Sequence, residues 1–402
     1  MDNKEEVLAK KSIFAGITRN VFFLGVASFL TDVSTEIIYP LLPIFLTSVL
    51  GAGTAFVGLV EGVAETTASL LKLFSGWFSD KLNKRKSIVI LGYTLSGITR
   101  PFIAMSTMPW HILAVRFIDR VGKGVRTSPR DALIADCTDP GCRGKAFGFH
   151  RSMDHLGAVV GPLLAFLFLQ LFNNNYRAVF WLATIPAVIC VFVLIVFVSE
   201  KKRVQTETTS PPKLSIKPFD RRFKYFLLLI LIFTLGNSSD AFLILRAKNL
   251  GVSIILIPIL WAVFHVVKSI SSTPGGMLSD RLGRRRIILL GWLVYGLVYI
   301  GFAFANEAYQ AWLLFCAYGI FFGLTEGVEK AFVSDLVPSE LRGTAFGMYN
   351  FVIGLAALPA SLIFGFIWQI FNPKLAFLFG AASSLVAMVL FIVLISDKAN
   401  SE

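Results

Sequence analysis

ADCTDPGCRGKAFG, residues 135–148, returns as SDLVPSELRGTAFG at 334–347, so that Asp136, Arg143, Gly144, Ala146, Phe147 and Gly148 all recur 199 residues later. A second pair, GWFSDKLNKRK (76–86) and GGMLSDRLGRRR (275–286), sets Asp80 and Asp280 two hundred residues apart. A near-constant displacement of half the chain predicts two halves of the same topology. The polar stretch SEKKRVQTETTSPPKLSIKPFDRR joins them, dividing the chain into 1–198, a linker at 199–222 and 223–402.

The 402 residues are 55% hydrophobic and only 16% charged, with a mean hydropathy of +0.71. Soluble domains carry about 25% charged residues, so most of this chain is expected in lipid. A bilayer core about 30 Å thick takes roughly 20 apolar residues per helix. That length gives twelve spans, near 21–48, 54–79, 87–108, 111–136, 146–171, 178–198, 223–247, 252–278, 287–305, 308–336, 343–371 and 375–395. Strand-like alternation is absent, which leaves an all-α polytopic membrane protein, since only helices and closed barrels satisfy the backbone in lipid.

The cations assign orientation. They crowd into KLNKRK, RLGRRR and the linker, whereas the opposite loops hold Arg177, Arg246, Lys248 and Lys374. Positive loops stay in the cytoplasm, so both termini are expected there. The net charge of +13 then reflects topology, and no nucleic-acid partner is expected. Cys137 and Cys142 match no standard zinc spacing, and no metal or cofactor is expected. No phosphate-binding glycine loop or nucleophile triad is present, which argues against an enzyme or a motor ATPase.

Charges inside the spans are the functional signal, because each costs several kcal/mol at the bilayer centre unless paired or wetted. They fall on spans 1, 2, 4, 5, 7, 8 and 10; spans 6, 9, 11 and 12 have none and span 3 has only Arg100. That distribution predicts a central aqueous cavity between the halves. Asp32 and Glu36 share one face of span 1, and Glu61 and Glu65 one face of span 2. Crowded carboxylates in poorly solvated sites bind protons near neutral pH, so these four, with Asp240 and His265 in the second half, are the proton-coupling candidates. A permanent ion pair between Asp32 and a span-4 cation is the competing expectation.

Arg116, Arg126 and Arg130 on span 4 suit carboxylate or phosphate groups. Glu326 and Glu329 oppose them on span 10, with Arg130–Glu329 the expected cross-half pair. Trp261 and Asn350 complete the substrate-binding candidates. Equal numbers of acids and bases in the spans leave the sign of the substrate open.

The same residues resemble a known family, the major facilitator superfamily, over essentially the whole chain. Its loop signature between helices 2 and 3 matches Gly276, Asp280, Arg281, Gly283, Arg284 and Arg285, and matches Gly76, Asp80, Lys81, Lys84 and Arg85 with Asn83 at the inner glycine. Asp80 and Asp280 at helix ends beside cations are expected to form gate contacts. Gly157, Gly161 and Pro162 resemble the fifth-helix signature of the family's antiporters. Arg116, Gly122 and Gly124 are similar to the fourth helix of its drug antiporters, although Asp119 and Arg120 replace a glutamine and a glycine. The resemblance implies a bacterial drug:proton-antiporter-like secondary transporter, a multi-pass monomer of the inner (plasma) membrane. It would move a small amphipathic or anionic compound by alternating access, with proton-coupled export ahead of proton-coupled uptake and of a non-transporting sensor or scaffold.

Overall fold

The computed structural model describes residues 17–82, 84–138, 143–200, 219–337 and 341–395. Residues 201–218 of the expected linker and Asn83 of the first gate motif lie outside the described residues, as do the surroundings of Gly76 and the side chains of Asp80 and Lys81.

Twelve long helical segments follow one another: α1 (Arg19–Ile38), α2 (Thr54–Leu82), α3 (Arg85–Met105), α4 (Pro109–Asp136), α5 (Arg143–Leu171), α6 (Tyr176–Leu182 and Thr184–Phe197), α7 (Arg221–Gly236 and Ala241–Asn249), α8 (Ile257–Leu282), α9 (Arg284–Phe304), α10 (Ala308–Asp335), α11 (Arg342–Ile370) and α12 (Pro373–Leu394). Among the described residues ten are long and apolar enough to cross a membrane, α2 and α4 being the exceptions. Helix α4 fails through its charges, which only other helices or water can accommodate.

Local chemistry sets the helix ends. Pro109 and Pro373 open α4 and α12, where proline's missing N–H is no loss. Asn175 and Asn372 cap α6 and α12 through side-chain bonds to Ala178 N and Leu375 N at 3.2 and 2.9 Å. Beyond α1 the chain turns at Tyr39–Leu41, and a π-helical turn over Phe45–Val49 precedes Gly51 at φ 69°.

Helices α3/α9, α4/α10 and α5/α11 start 199 residues apart, as the longer repeat requires, but α2 and α8 end 200 apart, at Leu82 and Leu282. The missing residue is in the turn between α8 and α9, where Gly283 at φ 93° replaces two residues. Arg85 at the start of α3 pairs with Asp136 at the end of α4, and Arg284 Nε lies 2.7 Å from Asp335 at the same place in the second half. Arg85 is therefore the counterpart of Arg284, not of Arg285 as the motif alignment has it. Asp280 reaches Arg284 only at 3.9 Å, and Arg285 donates to Ile392 O at 3.1 Å. The Arg85–Asp136 and Arg284–Asp335 pairs each lie within one half.

Within the first six helices α1 packs on α5 and α6, α2 on α4, and α3 on α4 and α6; among the last six α8 and α9 pack on α10, and α7 on α11 and α12. The principal contacts across are α2 with α11 and α5 with α8. The α2/α11 crossing is close because glycines line it: a Cβ on Gly62 would stand 2.8 Å from Leu358 Cα, and one on Gly365 2.8 Å from Thr54 O. This seam closes the end of the molecule carrying Gly51 and Gly251.

Gly62→Val should pry that seam apart. Overpacking costs about 1–3 kcal/mol, felt only where the seam is closed, so the population should shift toward the conformer open there by about 5- to 150-fold. Spin labels at Ser48 and Lys248, whose side chains meet at this end, should move apart; an unchanged distance distribution in the folded variant would refute the seam as a gate.

Candidate functional site

A cavity of about 630 Å³ lies between the halves. It is lined from α1, α2, α4 and α5, with Tyr93 of α3, on one side and from α7, α8, α10 and α11 on the other. The charged spans line it as the sequence predicts, and uncharged α11 joins them through Ile353, Ala357 and Ser361. Small apolar residues suit α11 because it must also pack against α2. Opposite the sealed end, Arg151 is 55% exposed, and Lys330 in the lining is exposed too. The cavity opens toward the end where Asn20 of α1 bonds Ser199 O beyond α6, at 3.0 Å.

The α5 glycines place the carboxylates of α1. A Cβ on Gly157 would lie 2.8 Å from Asp32 Cβ, and one on Gly161 2.7 Å from Glu36 Cβ. With hydrogen there, α1 sits against α5, followed by Pro162 inside that helix. Asp32 lines the cavity with no hydrogen bond or ion pair among the described residues, in the field of Asp154, Lys123, Glu36 and Arg126. The expected span-4 ion pair is not formed. Glu36 instead reaches across the halves: Trp261 Nε1–H donates to its Oε2 at 2.8 Å, and His265 Nε2 stands 4.0 Å from the same oxygen without a hydrogen bond of its own. Asp240 accepts from the Tyr318 hydroxyl at 2.7 Å, and Glu65 is exposed within the cavity.

A largely buried ionic cluster is built into this wall, where Glu61, Asp119 and Arg120 reach the lining and Arg100 and Arg116 stand behind them. Arg116 Nη2 donates to both oxygens of Glu61 at 2.8 and 2.9 Å. Asp119 is shared by Arg100 at 3.3 Å, Arg116 at 3.5 Å and Arg120 at 3.8 Å. The α3/α4 crossing that assembles it is close because a Cβ on Gly122 would stand 2.6 Å from Gly92 O.

Several expected ligands are thereby corrected. Arg116 is 2% exposed and held by Glu61, so it does not line the cavity. Arg130 lines it, but its guanidinium is engaged by Asp131 at 2.8 Å. The Arg130–Glu329 pair does not form: Glu329 turns into the second half, bonded by Trp292 Nε1 at 2.9 Å and the Tyr349 hydroxyl at 2.6 Å. Asn350 is exposed away from the cavity, its amide donating to Phe346 O at 2.9 Å. Arg126 lines the cavity with no carboxylate within 4 Å among the described residues; it donates to Ser96 at 2.5 Å and lies 4.3 Å over the Tyr93 ring.

The cross-half ion pair belongs instead to Arg151 and Glu326, 2.6 Å apart, with Lys268 2.9 Å from the same carboxylate. Arg151 is half in solvent, so a double-mutant cycle with Arg151→Ala and Glu326→Gln should return a coupling of only about 0.5–1 kcal/mol in thermal unfolding. A null coupling would remove this pair as a latch.

The sequence places Arg120 and Lys123 on the cationic face of span 4 without marking them as ligands, and the break in α7 at Asn237–Ser239, which also lines the cavity, was missed. The cluster NSSD was a legible breaker signal. Nothing local distinguishes Arg120 from Arg116.

Two sets of helices around a charged chamber have the architecture of a secondary transporter. The family model described as Major Facilitator Superfamily matches residues 24–264 and 225–401, and the chain belongs to that family of multi-pass, non-enzymatic membrane transporters. It is 37% identical to an uncharacterized MFS-type transporter of Methanocaldococcus jannaschii over 94% of this chain and 95% of that one. A multidrug resistance protein MdtH of Salmonella arizonae is 22% identical over 83% of this chain and 82% of that protein. The fold is similar to that of the nucleoside transporter NupG, with TM-score 0.76 and 16% identity, covering 95% of this chain and 100% of that one.

Proposed function

We propose that the protein couples proton movement to transport of a small amphipathic or anionic compound across the plasma membrane. The carrying observation is Asp32, a carboxylate inside a chamber between the halves with no hydrogen bond or ion pair among the described residues, and with Glu36 beside it bonded across to Trp261. A group that gains and loses a proton there biases the opening of one end against the other. With the cation-rich loops in the cytoplasm, the chamber as it stands faces inward. Export is the direction supported by similarity to the multidrug resistance protein.

A second reading, proton-coupled uptake, is favoured by the basic wall of α4. A bound anion favours a proton on a neighbouring carboxylate and a bound cation disfavours it, so an anion travels with protons and a cation exchanges for them. In vesicles holding the purified protein, adding substrate outside should move protons: inward with it for joint transport, or outward against it for exchange. No proton movement during substrate flux would sink proton coupling, and no gradient-driven flux would leave a sensor or scaffold.

A further inference from the structure

Arg120 lines the cavity and is 6% exposed, yet neither its buried Nε nor any other of its donors makes a hydrogen bond to a described residue. Among the described residues its one carboxylate within 4 Å is Asp119 at 3.8 Å, which Arg100 and Arg116 approach more closely. Glu65 and Glu61 act on it from α2 without reaching ion-pair distance. Buried guanidinium donors are almost always satisfied, and one left open beside a cavity marks the place of a missing acceptor. Lys123 follows at i+3 on the same helix, lines the same cavity, and has no hydrogen bond or carboxylate within 4 Å among the described residues. The two cations lie in each other's field, an arrangement that a bound anion relieves.

We propose that Arg120 and Lys123 form the anion subsite of the cavity, seating a carboxylate or phosphate group of the transported molecule. This rests on the transporter reading but not on its direction or coupling ion. The guanidinium supplies a planar fork and the ammonium a point charge. The Tyr39 and Trp261 rings, 5.3 Å apart and both in the lining, offer an apolar surface for the rest of the molecule.

The test uses the full-length purified protein in nanodiscs, with benzoate and phenyl phosphate as probes and benzamide as the uncharged control. Both anions should raise the unfolding temperature and benzamide should not. Arg120→Gln and Lys123→Gln should each weaken the anion response about ten- to hundredfold, whereas Lys374→Gln, at the exposed start of α12, should not. Because either cavity variant can fail to fold, a second measurement uses wild type: phenyl phosphate should slow acetylation of Lys123 by N-hydroxysuccinimidyl acetate about tenfold, read by mass spectrometry. An equal response to benzamide, retained anion response in both variants, or an unchanged acetylation rate overturns the subsite. Anion binding without flux would keep the subsite and sink transport; flux without anion binding does the reverse.

Discussion

Asp32→Asn is expected to abolish accumulation driven by a pH gradient, by about a hundredfold or more, in a protein that still folds. Asp32 makes no hydrogen bond or ion pair with a described residue, so an isosteric amide strands no partner and its effect on stability should stay within about 0.5 kcal/mol. What it removes is a group inside the chamber that can carry a proton. Flux down a substrate gradient should survive while accumulation driven by a pH gradient disappears, and vesicles loaded at two pH values separate the two. Glu36→Gln should be milder, because the amide oxygen can still accept from Trp261. If Asp32→Asn accumulates substrate like wild type, Asp32 does not carry the coupling proton.

Arg116→Ala should be the most damaging substitution for folding. It leaves Glu61, 7% exposed, without the guanidinium that contacts both its oxygens. Breaking a buried pair from one side costs about 3–5 kcal/mol, because the remaining charge is uncompensated. The folded yield and unfolding temperature should fall sharply, and Glu61→Gln in the same chain should recover part of both. A variant as stable as wild type would show that water from the cavity, which Glu61 lines, compensates its charge.

The glycines argue the same division between framework and chamber. Gly157 and Gly161 were legible as a fifth-helix motif, but their work is visible only in contact: they bring the backbone of α1 against α5 at the level of Asp32 and Glu36. The repeat was legible too, but the gate contacts were expected of Asp80 and Asp280, the Arg85–Asp136 and Arg284–Asp335 pairs were not foreseen, and the motif alignment set Arg85 against Arg285, one residue off. That residue was misassigned because a loop deletion leaves the motif letters in register while shifting the helix that follows.

Glu326 and Glu329 show where such reading stops. Three residues apart on α10, they share a broad helical face in sequence, yet one meets Arg151 and Lys268 in the cavity and the other Trp292 and Tyr349 inside the second half. About 60° of helix rotation separates those environments, and neighbouring helices set that rotation. Arg116, Arg120, Arg126 and Arg130 diverge in the same way along α4.

The membrane class, the twelve helices, the twofold repeat and the choice of helices that carry charge into the chamber were all written in the order of residues. They follow from hydropathy, spacing and the cost of charge in lipid, which accumulate residue by residue along the chain. Which charges are spent on one another and which face the cavity was settled only by packing in three dimensions. An ion pair depends on the depth and rotation of two helices far apart in sequence, and those are fixed by close approach at Gly62, Gly122, Gly157 and Gly161.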